Sequence, residues 1–221
     1  MSIRAFIFDL DGVITDTAEY HYRSWRRLAD EEGLDFTRAD NEALRGVSRA
    51  ESLRRLLKGK ALPEDVFNAW MTRKNDYYVA YLDDITPDDR LPGVTRFLTE
   101  AHAAGIKLGI GSASKNAQAV IDRLALGAMF DIIGDGYSVV NSKPAPDLFV
   151  WVAGGLRIAV HEAVVFEDAE AGIDAGKAAG CYTVGLGTAP VGHADIVLPD
   201  LARISVSEVL TRLDAARSSR G

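Results

Sequence analysis

An α/β fold, with a Rossmann-like parallel sheet core and an inserted helical cap domain, is what this sequence predicts, and three observations carry that prediction. Short apolar runs alternate with helical patterns over most of the chain. One long stretch near the N-terminus carries helical patterns only. The polar residues suited to chemistry fall at the ends of the apolar runs. Repeated strand and helix alternation implies a parallel sheet with helices on both faces, and ligands of such sheets bind beyond the carboxyl ends of the strands. The 221 residues suffice for one large domain with an insertion.

Residues 3–10 carry Phe6, Ile7 and Phe8 in a nearly continuous apolar run, the pattern of a strand buried on both faces, and the run ends in Asp9-Leu10-Asp11-Gly12. After Thr15-Asp16-Thr17, the residues Tyr20, Trp25, Leu28 and Ala29 form a helical stripe that stops at Gly33, where a left-handed C-cap is expected. Ser48-Arg49-Ala50-Glu51 has the spacing of a capping box, and Leu53, Leu56 and Leu57 continue that helix. Pro63 opens another through Phe67, Trp70, Met71, Tyr78 and Leu82. No strand pattern interrupts residues 17–82, so residues 15–87 are expected as the cap, and residues 1–14 with 88–221 as a discontinuous core.

Thr86-Pro87-Asp88-Asp89 and Leu91-Pro92-Gly93 read as the return linker. Beyond it the periodicity predicts a helix over 94–104 ending at Gly105, a strand over 106–111, a helix over 116–126 and a strand over 130–133. A helix over 147–154, a strand over 163–166, a helix over 169–179, strands over 182–186 and 196–198 and a last helix over 206–216 follow. The polar tail 217–221 is expected to fray.

Composition narrows the function classes. At 48% hydrophobic and 26% charged the chain sits at the globular average, which argues against disorder, collagen and coiled coil. A net charge of -7 repels nucleic acid and anionic lipid. The single cysteine, Cys181, has no partner for an internal disulfide and reads as a small core residue rather than a reactive thiol. No apolar run approaches roughly 18 residues, and Met1-Ser2-Ile3 leads straight into a strand pattern, so the expectation is a cytoplasmic protein with no membrane contact.

Four polar clusters fall at the ends of core segments: Asp9 with Asp11, Ser112 with Ser114 and Lys115, Lys143, and Glu167 with Asp168. Carboxylates converging on one edge repel one another unless a cation sits between them, and an oxygen-rich site suits Mg²⁺ bound together with a substrate phosphate. Lys143 offers a fixed cation to a phosphoryl oxygen, while Ser112 and the amides of a loop entering a helix offer hydrogen bonds. Together these make a phosphoryl-transfer site. With a reference pKa of ~3.9 an aspartate is ionised at neutral pH, so Asp9 can attack phosphorus without an activating base, and Asp11 can exchange the proton. Taken singly, each has a plainer reading: a turn, a solvated lysine, carboxylates favouring a helix N-terminus. His21 and Lys74 by themselves read as surface or satisfied residues. Arg23, Arg26 and Arg27 read as solvated surface, and Tyr77, Tyr78 and Tyr81 as packing residues of the insertion. No GxxxxGK[ST] phosphate loop occurs.

The run Asp9-Leu10-Asp11-Gly12-Val13-Ile14-Thr15-Asp16-Thr17, followed in order by Ser112, Lys143 and Glu167-Asp168, resembles the haloacid dehalogenase-like phosphotransferase superfamily over almost the whole chain. The stretches Asp16-Thr17-Ala18-Glu19-Tyr20-His21, Gly46-Val47-Ser48-Arg49, Arg73-Lys74-Asn75-Asp76, Ser112-Ala113-Ser114-Lys115-Asn116 and Ser142-Lys143-Pro144-Ala145-Pro146-Asp147 resemble its β-phosphoglucomutase family. The resemblance implies that Asp9 is the phosphorylated nucleophile and Asp11 the general acid and base. It implies Mg²⁺ held by Asp9, the Asp11 backbone carbonyl and Asp168, with Glu167 supporting the metal site. Ser112, Ala113 and Lys143 then hold the transferring phosphate, and Arg49, Ser114, Lys115 and Asn116 the other phosphate of the sugar. Thr17, His21 and Lys74 orient Asp11 as the cap closes, and Trp25, Gly46, Val47 and Ser52 line the sugar pocket.

The implied function is that of a monomeric isomerase interconverting β-D-glucose 1-phosphate and glucose 6-phosphate through β-glucose 1,6-bisphosphate. The alternative on the same scaffold is a sugar-phosphate or phosphoglycolate-type phosphatase, with water as acceptor. A non-catalytic sensor would most simply lack Asp9 or Asp11, and both are present. Gly134-Asp135-Gly136-Tyr137 and Gly154-Gly155-Leu156-Arg157 depart from the family pattern without removing a functional residue.

Overall fold

The computed structural model describes residues 3–188 and 190–218. Six parallel strands, β1 (Ala5–Phe8), β2 (Lys107–Gly111), β3 (Ile132–Gly134), β4 (Ala163–Glu167), β5 (Tyr182–Leu186) and β6 (Ile196–Leu198), form one sheet in the order β3-β2-β1-β4-β5-β6. The chain therefore leaves β1 in one direction and later returns to its other edge. The carboxyl ends of β1, β2 and β4 stand side by side where the strand order reverses, which is where such sheets bind ligands.

Successive strand residues point to opposite faces, and β1 divides its apolar side chains accordingly. Phe6 and Phe8 face one layer, where Phe8 stacks on Phe166 at 4.7 Å and Phe6 on Phe97 at 5.8 Å. Phe97 lies on α5 (Val94–Ala103), and α6 (Ala117–Arg123) and α9 (Val206–Ser218) complete this layer through Val120 and Val209. Ala5 and Ile7 face the other layer, formed by α7 (Asp147–Gly155) and α8 (Glu170–Ala179) through Phe149, Val152 and Ala175. Each large side chain buried this way contributes roughly 1.5–3 kcal/mol.

The segment between β1 and α5 is helical: α1 (Ala18–Glu31), α2 (Arg38–Glu42), α3 (Arg49–Leu56) and α4 (Glu64–Leu82). It has a core of its own, in which Trp25, Leu28 and Ala29 of α1 meet Phe36, Leu53, Leu56 and Leu57. At its base, Tyr78, Leu82 and Ile85 join Val13 and Ile14 in the main core. The two connecting strands of chain are tied there, since Leu91 N donates to Ile14 O at 2.9 Å and the Thr15 hydroxyl to Asp89 O at 2.7 Å.

Several boundaries depart from the periodic pattern. The first strand is shorter than 3–10 because Leu10, although buried, already lies in the turn after Asp9. Gly33 has φ +64°, and Leu34 N reaches back to Ala29 O, which closes α1 as expected. The capping box at α3 is half formed: Ser48 accepts from Glu51 N, but the Glu51 carboxylate turns to Arg55 at 3.1 Å. A reciprocal box occurs instead at α2, between Thr37 and Asp40, where no helix start was read. The helix expected over 116–126 ends at Arg123, because Ala125 takes φ +51°. The last helix continues to Ser218, so Arg217 and Ser218 are not frayed; residues 219–221 of the expected tail, like Met1 and Ser2, lie outside the described residues.

Cys181 is buried in the α7–α8 layer, and burial pushes its thiol up to about 12, the behaviour of an inert core residue. Arg23, Arg26 and Arg27 are solvent-facing and paired with Glu19, Asp30 and Glu31 one turn away. Tyr78 is a packing residue, while Tyr77 donates to Glu31 at 2.6 Å and Tyr81 stacks on Tyr20. Among the described residues no helix is long and apolar enough to cross a membrane.

Candidate active site

Asp9 follows the last residue of β1 and its amide donates to Phe166 O on β4, so the strand pairing itself fixes where its carboxylate stands. Lys143, from the loop before α7, is buried and spans two carboxylates, donating to Asp9 Oδ1 at 2.6 Å and Glu167 Oε1 at 2.7 Å. Glu167 Oε2 accepts from the amides of Asp168 and Ala169 at 2.7 and 2.9 Å. Both Glu167 oxygens are thereby engaged, which makes it a brace under the site. Gly172 on α8 leaves the room it needs, because a Cβ there would overlap the Glu167 carboxylate.

Oxygens of Asp9, Glu167 and Asp168 lie within 4.8 Å of one another. Burial pushes Asp9 well above the ordinary carboxylate range, and the Glu167, Asp11 and Asp168 charges add to the effect while Lys143 opposes it. Burial likewise pushes Asp168 up to about 7, helped by Glu167 and opposed by Arg45. Hard carboxylate oxygens crowded beyond what the available protein cations neutralise are the donor set of a divalent metal.

The Asp11 carboxylate is not part of this three-residue group. The Thr17 hydroxyl donates to its Oδ1, and His21 Nε2 stands 3.9 Å from its Oδ2. Burial raises the Asp11 pKa, while the Thr17 hydrogen bond, Lys143 and Lys74 lower it. His21 Nδ1 contacts Lys74 Nζ at 2.9 Å, and Lys74 is buried between the rings of Trp25 and Tyr78. Burial, Lys74 and Arg49 push His21 well below its ordinary value; burial and Arg49 do the same to Lys74.

The residues named for substrate, Lys143 apart, gather around one cavity. Its floor is Asp9, Asp11 and Asp168, with Ser112, Ala113, Ser114, Lys115 and Asn116 along one wall. Ser112 is buried at the end of β2, where its Oγ accepts from Ser114 N at 3.1 Å and shapes that turn. Asn116 donates to Asn75 Oδ1 on α4 at 2.9 Å, a direct tie between sheet and cap. The roof comes from His21, Trp25, Gly46, Val47, Arg49, Ser52 and Lys74. Gly46 has φ +71°, and a Cβ there would stand 2.9 Å from that of Ala169, so this glycine lets the cap loop approach the sheet edge. Among the described residues no carboxylate forms a salt bridge with Arg49 or Lys115; Lys115 lies over the Tyr137 ring at 4.6 Å. Thr17, Glu167 and Lys143 are buried and do not line this cavity. Gly136 in the unusual loop is required by contact, since a Cβ there would stand 2.7 Å from Ala113 O.

Arg45 was not singled out from the sequence. It forms an ion pair with Asp168 and a second with Glu42 at 3.3 Å, and Asn41, Leu44 and Gly12 line the cavity beside it. Its place directly before Gly46 was the available signal.

A carboxylate pair at the end of β1, a lysine and acidic residues at later strand ends, and a helical insertion after β1 are the features of a haloacid dehalogenase-like protein. The family model for haloacid dehalogenase-like hydrolases matches residues 3–180, and the chain belongs to that family. It is 41% identical over 201 residues to the β-phosphoglucomutase of Bacillus subtilis, covering 89% of each chain. It is 29% identical over 180 residues to the phosphorylated carbohydrates phosphatase of Thermotoga maritima, covering 80% of this chain and 82% of that one. The crystal structure of β-phosphoglucomutase from Clostridium difficile superposes with a TM-score of 0.93 at 39% identity, covering 98% of this chain and 99% of that one.

Proposed function

We propose that the protein is a Mg²⁺-dependent β-phosphoglucomutase, interconverting β-D-glucose 1-phosphate and glucose 6-phosphate through β-glucose 1,6-bisphosphate and a phospho-Asp9 enzyme. The observation that carries this reading is the pair of cations, Arg49 and Lys115, that face the Asp9 cavity without a salt-bridge partner among the described residues. A phosphatase needs a grip on one phosphate. A mutase must hold a second while the first transfers, and two basic side chains beside the Ser114 and Asn116 turn supply that grip.

In the cycle, the sugar hydroxyl gives its proton to Asp11 as its oxygen attacks the phosphorus of phospho-Asp9, and the Asp9–phosphorus bond breaks. The bisphosphate turns over, Asp9 attacks the opposite phosphate, and Asp11 returns the proton to the sugar oxygen that leaves. Lys143, Ser112 and the Ala113 backbone hold the transferring group. Asp9, Asp168 and the Asp11 carbonyl, over the Glu167 brace, would hold Mg²⁺, which would supply positive charge to these crowded carboxylates and to the transferring phosphate. Thr17, with His21 and Lys74, withholds Asp11 until the cap closes, which favours transfer to sugar over water. Trp25, Gly46, Val47 and Ser52 shape the sugar pocket. We assign residues 15–87 to the moving cap and 1–14 with 88–221 to the core, and place the enzyme in the cytoplasm as a monomer acting on small sugar phosphates.

The test is incubation with β-glucose 1-phosphate, Mg²⁺ and a trace of the bisphosphate, following glucose 6-phosphate and inorganic phosphate together. Glucose 6-phosphate should accumulate with little phosphate, and excess chelator should stop it. Stoichiometric phosphate release would instead make the protein a sugar-phosphate phosphatase.

A further inference from the structure

Two cations pair with the three carboxylates grouped at the sheet edge. Lys143 holds Asp9 and Glu167, and its side chain has no exposed surface. Arg45 holds Asp168, and it reaches across the cavity from the loop between α2 and α3 in the helical insertion. Its guanidinium lies against the turn that follows Asp11. Gly12 there has φ +83°, and a Cβ on it would stand 2.9 Å from Arg45 Nη2 and overlap the Asp168 carboxylate. Arg45, Gly12, Asp9, Asp11 and Asp168 all line the same cavity. A positive charge therefore already sits on one of the carboxylates assigned above to the divalent metal.

The two cations differ in their freedom to leave. Both partners of Lys143 belong to the buried group, so any movement strands a carboxylate. The Arg45 side chain is 32% exposed, and it has a second partner, Glu42, at 3.3 Å, whose side chain is 64% exposed. A second cavity borders the first on that side, lined by Glu42, Arg45, Gly12 and Asp168. Arg45 can thus give up Asp168, keep a counter-charge and move into open space. A guanidinium and a divalent cation on one carboxylate repel each other even when each takes its own oxygen, because the repulsion acts between charges a few ångströms apart in a poorly solvated site.

We propose that Arg45 is the resident counter-cation of Asp168, bonded to it in the metal-free protein and left to Glu42 when Mg²⁺ takes the carboxylate, so that Arg45 sets how tightly Mg²⁺ binds. The coupling is reciprocal: as far as Arg45 weakens the metal, the metal weakens the Arg45–Asp168 tie between insertion and sheet. The inference rests on reading Asp168 as a metal ligand, and not on whether sugar or water accepts the phosphoryl group.

The test is calorimetric titration of the substrate-free protein with Mg²⁺ at constant ionic strength. Arg45→Gln removes the charge, and Mg²⁺ should bind this variant about five- to fiftyfold more tightly than the parent. At one fixed Mg²⁺ concentration, the metal should also raise the melting temperature of the variant by more than that of the parent. Arg45→Met serves the same arm should glutamine not fold. Glu42→Gln removes the partner to which Arg45 retreats, so Mg²⁺ should bind about two- to fivefold more weakly, and in the Arg45→Gln background the same substitution should have less than about half that effect. Weaker Mg²⁺ binding by the Arg45 variant would make Arg45 an orienting partner of the ligand and overturn the proposal. So would an unchanged affinity, or an equal loss from Glu42→Gln in both backgrounds. Asp168→Asn separates the two claims. If it abolishes Mg²⁺ binding while Arg45→Gln fails to tighten it, the proposal alone falls; if Mg²⁺ binds Asp168→Asn as it binds the parent, Asp168 is not a ligand and both fall.

Discussion

On the sheet side of the cavity Lys143 is bonded to both Asp9 and Glu167, and Glu167 in turn holds two amides at the start of the next helix. On the cap side Arg49 and Lys74 have no salt bridge to any carboxylate among the described residues, and each weakens the charge of its neighbours. On the sheet side the ion pairs of Lys143 are made within the fold itself. On the proposed reading, Arg49 on the cap side finds its counter-charge only when a substrate phosphate arrives.

The largest expected effect lies on the sheet side. Asp9→Asn keeps an acceptor for Lys143 but removes the nucleophile, so turnover should fall by about four decades or more while the melting temperature stays near the parent's. Phosphoenzyme formation from an acyl phosphate, followed by mass spectrometry, checks it directly. Near-normal activity would break the aspartyl-phosphate reading.

Lys143→Ala leaves two buried carboxylates without their cation, a change that typically destabilises by about 3–5 kcal/mol. Denaturant titration should show that loss in the metal-free protein. A stability equal to the parent's would mean the sheet side is not preassembled, and the contrast with the cap would fail.

Arg49→Ala should behave oppositely. Its fold should hold, while transfer to the sugar falls by about 1.5–3 kcal/mol, one to two decades, if a charge-assisted phosphate contact is lost. Hydrolysis of a small acyl phosphate, which has no second phosphate, should change far less. Equal losses in the two activities would make Arg49 a structural residue.

Lys74→Met sharpens the comparison further. A buried lysine whose pKa is held well below its ordinary value opposes folding at neutral pH, because the unfolded chain binds the proton more tightly. Replacing it should raise stability by about 1–4 kcal/mol while lowering transfer. The penalty is full below the folded pKa and vanishes as pH rises through the unfolded value near ~10.5. The stability gain of the variant should therefore shrink as pH is raised, in melting curves recorded from neutral to alkaline pH.

The sheet side was the more legible. Asp9, Ser112 and Glu167 each close a short apolar run, and a run of buried strand residues announces itself through composition. The cap residues were reached through resemblance, because Arg49, Lys74 and His21 sit on helices whose polar residues look alike in periodicity. Arg45 escaped because it reads as one arginine among many; what distinguishes it is its ion pair with Asp168 across the fold.

The sequence by itself determined the alternation of strand and helix, the helical insertion after the first strand and the order of the acidic and basic groups, because local burial and turn chemistry act over a few residues. Only the tertiary structure decided the electrostatic surroundings of those groups. Asp9 is 134 residues from Lys143 along the chain, and desolvation and ion pairing depend on what surrounds a side chain in space. Those neighbours are set by the packing of the cap on the sheet edge, which the spacing of residues along the chain does not encode.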